Sequence, residues 1–199
     1  MNYNELKQKY LKMGYKFRTE KMALNLFGER SFNSQSDKFD DIVGCAWVNE
    51  NGVPCIVHYK ATTDPGKYWL QNPMKKDGTI IMVPGQYLEV YGIGKHKGEY
   101  EAFVQIAHMA YVRDNNRDTI LDFSLYRDRK KVGKEVFWGI NGTNIHRSSL
   151  WHNVPFVGRY SAGCQVLQNA TEFATLIDLR NKSFSKGFNK FDYTLFEIL

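Results

Sequence analysis

The sequence lacks any apolar run of the roughly 20 residues that a membrane-spanning helix needs, and its first residues lack the basic and then apolar segments of a signal peptide. We therefore expect a chain that is made and folded in a cytoplasm. Cysteine is scarce, with only Cys45, Cys55 and Cys164, and no Cys-x-x-Cys pair occurs. This usage fits a reducing compartment better than a disulfide framework, although a Cys45–Cys55 bridge across a hairpin stays open.

Metal-binding and nucleic-acid-binding patterns are also absent. No His-Glu-x-x-His segment, no paired thiolates and no His/Asp spacing typical of a zinc peptidase occurs, so we expect neither a metal nor a cofactor. The formal net charge is +6, and the one basic cluster, at 126–131, predicts a solvated turn or an edge strand. Because no helix-turn-helix, RNA-recognition or zinc-finger pattern accompanies it, we expect no nucleic-acid partner; the charge suits some other anionic polymer.

Aromatic residues are abundant. The chain has 12 Tyr, 13 Phe and 4 Trp, together 15% of its residues. Aromatic side chains favour the pleated, half-buried surface of a β-sheet, so this composition indicates a β-rich protein. The length of 199 residues and the hydrophobic content of 43% suffice for one sizeable core, and no repeat, low-complexity stretch or linker divides the chain. We predict a single domain over 1–199.

The hydrophobic pattern predicts many short strands and two or three helices. One helix is predicted over 3–13, and a second is predicted after Asn169, with Thr171 as its cap. Glycine and lysine predict a loop over 92–98, which contains His96. Strands are predicted over 22–28, 42–48, 53–60, 78–83, 86–91, 102–107, 109–114, 136–140 and 191–198. This mixture is typical of a β-dominated α+β fold.

One histidine and one cysteine stand eighteen positions apart, each in a distinctive stretch of sequence. His146 lies in GTNIHRSS, which begins at Gly142, and Cys164 lies in GRYSAGCQVL, which begins at Gly158. A thiol is a useful nucleophile only as the thiolate, and an adjacent imidazole supplies that state near neutral pH. We therefore predict a cysteine acyl-transfer site, the alternative being a structural histidine and a small buried cysteine.

These two stretches resemble the L,D-transpeptidase (YkuD-like) family. Its signature is a histidine followed, after a spacer of similar length, by Ser/Thr-His-Gly-Cys, and the resemblance covers 137–167. Three features depart from the family pattern. Ala162 replaces the second histidine of the family, Arg147 replaces a glycine that commonly follows the first, and 165–167 replaces the usual hydrophobic-then-Asn/Arg tail.

The resemblance implies a curved mixed sheet or an open barrel, with the histidine and the cysteine on adjoining strands or loops at one mouth. It implies that Cys164 attacks an amide carbonyl of a peptidoglycan stem peptide and forms a thioester, which an amine or water then resolves. His146 would generate the thiolate and protonate the leaving amine. Its orienting partner stays open between a backbone carbonyl and an Asp or Asn side chain, and His152 is a second candidate for the base.

Further residues are predicted around the pair. Gly163 leaves room for a substrate to approach the backbone, and Gly163 and Cys164 could offer oxyanion N–H groups. Ser161 is assigned to the turn before the cysteine. Arg147 and Arg159 are candidates for binding stem-peptide carboxylates, because guanidinium recognises carboxylate with two parallel hydrogen bonds; each is equally a candidate for a surface ion pair. Two amide side chains are candidates for hydrogen bonds to a peptide backbone: Asn144 and Gln165.

Without a signal peptide, such an enzyme would be synthesised in the bacterial cytoplasm and would reach the wall only through lysis or carriage in a particle. We therefore expect a phage lysis enzyme (an endolysin) or a virion-associated peptidoglycan hydrolase, as an L,D-endopeptidase or carboxypeptidase, or an L,D-transpeptidase. Nothing in the sequence separates water from amine as the acceptor. The alternative is a catalytically silent phage structural or cell-wall-binding module with the same fold. A cytosolic cysteine protease or acyltransferase would need the same dyad.

Overall fold

The structure is a computed structural model that describes residues 1–32, 34–122 and 135–197. The basic cluster predicted at 126–131 and the last residue of the strand predicted at 191–198 lie outside these ranges. The described part contains three helices: α1 (Tyr3–Lys12), α2 (Lys67–Gln71) and α3 (Ala170–Ser185). Its strands are β1 (Asn25–Arg30), β2 (Asp41–Val48), β3 (Pro54–Thr62), β4 (Thr79–Met82), β5 (Gly85–His96), β6 (Tyr100–Gln105), β7 (Met109–Asp114), β8 (Phe137–Gly139), β9 (Ile145–Arg147), β10 (Gln165–Leu167) and β11 (Lys190–Glu197).

Eight of the strands form a barrel in the order β1-β11-β5-β6-β9-β10-β3-β2. The ring closes because β1 pairs antiparallel with β2 on one side and parallel with β11 on the other. Strands β4, β7 and β8 form a separate three-stranded sheet. The prediction of a β-dominated α+β fold is confirmed. The expected mixed sheet is also confirmed, since β1–β11 and β9–β10 pair parallel and the other neighbours pair antiparallel. The expected open barrel is corrected to a closed one, because the strand at 190–197 pairs with β1.

Local capping explains where the two longer helices begin. The Asn2 side chain accepts a hydrogen bond from the Glu5 N–H, and the Glu5 side chain accepts one from the Asn2 N–H, so a capping box starts α1. At α3 the cap is Asn169, whose side chain accepts from the Thr171 and Glu172 N–H groups. Thr171 was predicted as this cap and instead lies inside the first turn. Helix α3 buries three apolar residues against the barrel core: Phe173, Leu176 and Ile177.

The β5–β6 hairpin differs most from expectation. The loop predicted over 92–98 is wrong, because β5 continues to His96 and the turn begins only after it. Gly94 pairs with Ala102, and a Cβ at Gly94 would lie 2.8 Å from the Val104 side chain. The glycine therefore makes room for a cross-strand neighbour and does not mark a turn. Strand β5 therefore ends with His96, at the turn that leads into β6.

The main core fills the barrel with aromatic and aliphatic side chains, among them Tyr91, Phe103 and Tyr193. Cys45 is fully buried in this core, while Cys55 is half-buried on β3. Both thiols are free, so no disulfide joins them. No helix in the described ranges has the length and apolar character needed to span a membrane.

Candidate active site

A cleft of about 490 Å³ opens where the loops before β9 and β10 meet the end of β5 and the small sheet. The parallel pairing of β9 with β10 sets Gln165 opposite Ile145 and so brings the two preceding loops side by side. Cys164, the last residue before β10, lines this cleft together with Gly142 and Asn144 from the other loop. The two sequence stretches that carry the family resemblance therefore meet in space.

The Cys164 thiol is held by the loop that precedes β9. Its Sγ lies 3.4 Å from the Gly142 carbonyl oxygen, to which the S–H donates. Burial raises the pKa of the Cys164 thiol to about 11, while a hydrogen bond from the Asn144 backbone and the charge of Lys97 act in the opposite direction. The resting sulfur is therefore a neutral thiol, with one backbone donor and one cation placed to stabilise the thiolate once it forms.

The turn before the cysteine is built by Ser161. Its buried hydroxyl donates to the Cys164 carbonyl oxygen at 2.8 Å and accepts from the Gly163 N–H at 3.2 Å. Gly163 has a φ of +122°, and a Cβ there would lie 2.9 Å from the Ile80 carbonyl oxygen. The space at Gly163 is therefore taken by β4, and the expected room for a substrate is corrected. Ser161 already occupies the Gly163 N–H, whereas the Cys164 N–H has no partner in the described part of the chain.

His146 lies on β9 and is 1% exposed. Its Nδ1 is 2.8 Å from the Arg147 carbonyl oxygen and 3.2 Å from the Tyr100 hydroxyl. Since a carbonyl oxygen only accepts, Nδ1 carries the proton and Nε2 keeps a lone pair. This Nε2 is buried with no hydrogen-bond partner among the described residues. Burial, aided by His96, lowers the pKa of His146 to about 3, so the imidazole is a neutral base.

His146 and Cys164 are adjacent but not joined. His146 pairs with Val166, two residues beyond the cysteine, so strand geometry puts the Cα atoms of His146 and Cys164 roughly 8 Å apart. No hydrogen bond links Nε2 to Sγ, because the thiol faces Gly142 instead. Catalytic hydrogen bonds are often long or poorly aligned before substrate binds. The orienting partner that the sequence left open is the Arg147 carbonyl, and the other candidate base, His152, is exposed and does not line the cleft.

A second histidine, His96, enters the site from the end of β5. Its ring stacks on that of His146, with centroids 3.8 Å apart and planes inclined by 21°. The side-chain amide of Asn144 contacts its Nδ1 at 3.2 Å. His96 lines the cleft with Cys164, whereas His146 lies behind it. The sequence analysis placed His96 only in a predicted loop and missed its place in the site, because its spacing from the cysteine carries no motif.

The two predicted arginines lie in different places. Arg159 lines the cleft, with its guanidinium 3.9 Å from the centroid of the Tyr68 ring. Arg147 does not line the cleft; its guanidinium lies 4.1 Å over the Tyr100 ring, and Nη1 donates to the Ser148 carbonyl oxygen. Arg159 is therefore placed to meet a substrate, and Arg147 covers the tyrosine behind His146.

The two predicted amide side chains, Asn144 and Gln165, also lie in different places. Gln165 is fully buried inside the barrel, where its Oε1 accepts from the Tyr193 hydroxyl at 2.8 Å. Its predicted contact with a substrate backbone is corrected, because this side chain belongs to the core. Asn144 does line the cleft, but its side chain is already used: Oδ1 accepts from the Gln105 N–H at 2.9 Å, and Nδ2 faces His96.

The cleft wall is cationic. Four basic side chains line it and no aspartate or glutamate of the described residues does so: Lys75, Lys97, Arg113 and Arg159. Burial, together with the charge of Lys97 at the β5–β6 turn, lowers the pKa of His96. The same charge acts on the Cys164 thiol against the larger effect of burial, which raises the pKa of that thiol. Such a wall favours ligands that carry carboxylates.

Within the described ranges, no group of three or more His, Cys, Asp or Glu side chains is arranged to hold a metal ion. Comparison of this chain with protein-family models, with curated proteins and with solved structures gave no match.

Proposed function

We propose that this chain is a cysteine acyl-transfer enzyme acting on the stem peptides of peptidoglycan, similar to the L,D-transpeptidases. One observation carries the proposal. Cys164 lines a cleft directly before β10, the strand that pairs with β9 and its His146. The His146 imidazole is neutral, its Nδ1 is fixed by the Arg147 carbonyl, and its Nε2 lone pair has no partner in the described residues. These are the parts of an activated nucleophile: a thiol, a base and a group that orients the base.

The chemistry follows from the protonation states. Cys164 Sγ attacks the amide carbonyl carbon, and its proton passes to His146 Nε2 as the carbon–sulfur bond forms, because both groups rest neutral. The Cys164 N–H donates to the developing oxyanion. The proton then moves from Nε2 to the leaving amine, the carbon–nitrogen bond breaks, and a thioester is left. Water or an acceptor amine attacks this thioester with His146 again as base, and the thiol is restored.

The charge of the cleft supports a stem-peptide substrate. Stem peptides carry several carboxylates, and the cleft offers Lys75, Lys97 and Arg159, for none of which an ion pair occurs in the described part of the chain. Guanidinium and ammonium groups bind carboxylates through charge-assisted hydrogen bonds. Arg159 is the anchor we assign to a substrate carboxylate.

The biological setting is part of the same proposal. The chain would be a phage lysis or virion-associated peptidoglycan hydrolase, cutting as an L,D-endopeptidase or carboxypeptidase, or else an L,D-transpeptidase. It would be synthesised in the bacterial cytoplasm and act at the wall after release or from the virion. The net charge of +6 suits work beside an anionic wall polymer.

A silent phage structural or cell-wall-binding module is the second candidate. The observation that favours it is the missing hydrogen bond between Cys164 and His146, together with a thiol whose pKa is raised by burial. In this reading the cationic cleft would bind wall fragments without cleaving them. Binding and turnover therefore have to be measured separately.

The deciding experiment is mass spectrometry of defined muropeptides incubated with wild type, with Cys164→Ala and with Cys55→Ala. Cys55 is half-buried on β3 and does not line the cleft, so its variant is the matched control. We expect loss or exchange of a stem-peptide residue with wild type and Cys55→Ala, and none with Cys164→Ala. The product masses show whether water or an amine resolves the thioester. If muropeptides with several different stem peptides all stay intact with the three proteins, the enzymatic proposal is rejected in favour of the silent module.

A further inference from the structure

We propose that His96 is a catalytic residue of this site, whose Nε2–H donates a hydrogen bond to the carbonyl oxygen of the substrate. This inference rests on the proposed function and deepens it, because it assigns a second donor to the oxyanion. It makes the active site a two-imidazole centre in which His146 accepts the thiol proton and His96 holds the charge that attack creates.

The hydrogen bonds of Asn144 determine which nitrogen of His96 carries the proton. The Asn144 Oδ1 accepts from the backbone N–H of Gln105, and since that N–H can only donate, the amide cannot be flipped without losing this bond. The Nδ2 group therefore faces His96 Nδ1 at 3.2 Å and donates to it. With Nδ1 as an acceptor, a neutral His96 has its proton on Nε2 and presents an N–H donor.

Asn144 also places this donor beside the nucleophile. Its side chain contacts the His96 ring, while its backbone carbonyl oxygen accepts from the N–H of Gln165, the residue that follows Cys164, at 2.9 Å. His96 and Cys164 line the same cleft, and His96 is only 8% exposed. A donor that is buried and held by one hydrogen bond and by stacking on His146 needs little reorganisation during the reaction, which is the condition for strong oxyanion stabilisation.

The site has a need for such a donor. The Gly163 N–H is occupied by Ser161, which leaves the Cys164 N–H as the backbone donor beside the thiol. Burial, together with the charge of the neighbouring Lys97, lowers the pKa of His96, so its imidazole is neutral near pH 7. Because Asn144 already donates to its Nδ1 and its Nε2 carries the proton, His96 has no free lone pair for the thiol proton and acts as a donor.

The first test reads the tautomer directly and needs no activity. Long-range 15N–1H NMR of the histidine rings should show His96 protonated at Nε2 in the wild-type protein. In Asn144→Asp the carboxylate replaces the amide donor, and we expect His96 to become protonated at Nδ1. A wild-type His96 protonated at Nδ1 alone would overturn the proposal. Cys164→Ala, which keeps Asn144, is the matched control and should leave the tautomer unchanged.

The second test separates this inference from the proposed function. In Cys164→Ala, a disaccharide tetrapeptide at saturating concentration should shift the His96 Nε2–H resonance. No shift, with binding shown by other resonances of the cleft, overturns the role of His96. A shift without turnover by the wild-type protein would instead reject the enzymatic function and keep His96 as a ligand-binding donor.

Kinetics supply the third test. His96→Leu removes the donor, and we expect kcat to fall by roughly 10²–10³-fold with a smaller change in KM, as for loss of one oxyanion donor. His96→Gln keeps an N–H near the Nε2 position and should recover at least a tenth of the wild-type kcat. Equal losses in the two variants, with both proteins folded by circular dichroism, would contradict donation by His96.

Discussion

Raising the pH should accelerate disulfide exchange at Cys164 in the native protein, without a plateau near neutral pH. Burial raises the pKa of this thiol to about 11, so roughly one molecule in a thousand carries the thiolate at pH 8, against about a quarter for an unperturbed cysteine. The greater nucleophilicity of a more basic thiolate recovers roughly tenfold of this difference. We therefore expect the native rate to be roughly 20-fold below that of the same cysteine in the unfolded chain.

The assay uses an uncharged dipyridyl disulfide, so that the cationic cleft does not attract the reagent, and follows the released thiopyridone. The Cys55→Ser variant removes the half-buried cysteine, and fully buried Cys45 reports any unfolding when mass spectrometry locates the modification. The reference is the same variant unfolded in urea at each pH. The native rate should rise about tenfold per pH unit between about pH 7 and pH 10.

The variant His146→Ala distinguishes a resting neutral thiol and imidazole from a resting thiolate–imidazolium pair. If the thiol and the imidazole both rest neutral, removing the imidazole changes the exchange rate by less than about threefold. A native rate that levels off below about pH 8 and loses this plateau in His146→Ala would show a preformed thiolate–imidazolium pair. That result would refute the reasoning from burial. Slow labelling of Cys164 is accordingly not a sign of a silent site.

Three further predictions concern residues that the sequence assigned to the site. Gly163→Ala should lower the free energy of unfolding by at least about 2 kcal/mol in urea, since its backbone favours glycine; an unchanged midpoint would contradict this. Gln165→Ala should lower the free energy of unfolding by about 1–3 kcal/mol, because it leaves the Tyr193 hydroxyl unpaired, and KM should stay unchanged. A raised KM would show that Gln165 contacts the substrate. Arg159→Ala should raise KM about tenfold while Arg147→Ala should not, and equal effects in steady-state kinetics would reject the assigned anchor.

Local chemistry was predictable from the sequence where neighbouring residues decide the structure. The Asn51-Gly52 pair marks the β2–β3 hairpin, and the apolar spacing of 3–13 marks α1, because turn and capping preferences act over a few residues. Where two neighbouring residues both suit a cap, as at Asn169 and Thr171, the sequence does not choose between them. The structure chooses Asn169, whose backbone is extended and whose side chain reaches two N–H groups.

The β-dominated character of the chain could be predicted from its composition, and the stretches around His146 and Cys164 could be singled out, because composition and short motifs are local properties. Only the tertiary structure closed the barrel through β11, buried Gln165 and filled the space at Gly163 with β4. It also brought His96, some fifty residues earlier in the chain, onto the His146 ring. The physical reason is that strand register, and not sequence distance, sets which side chains meet across a sheet.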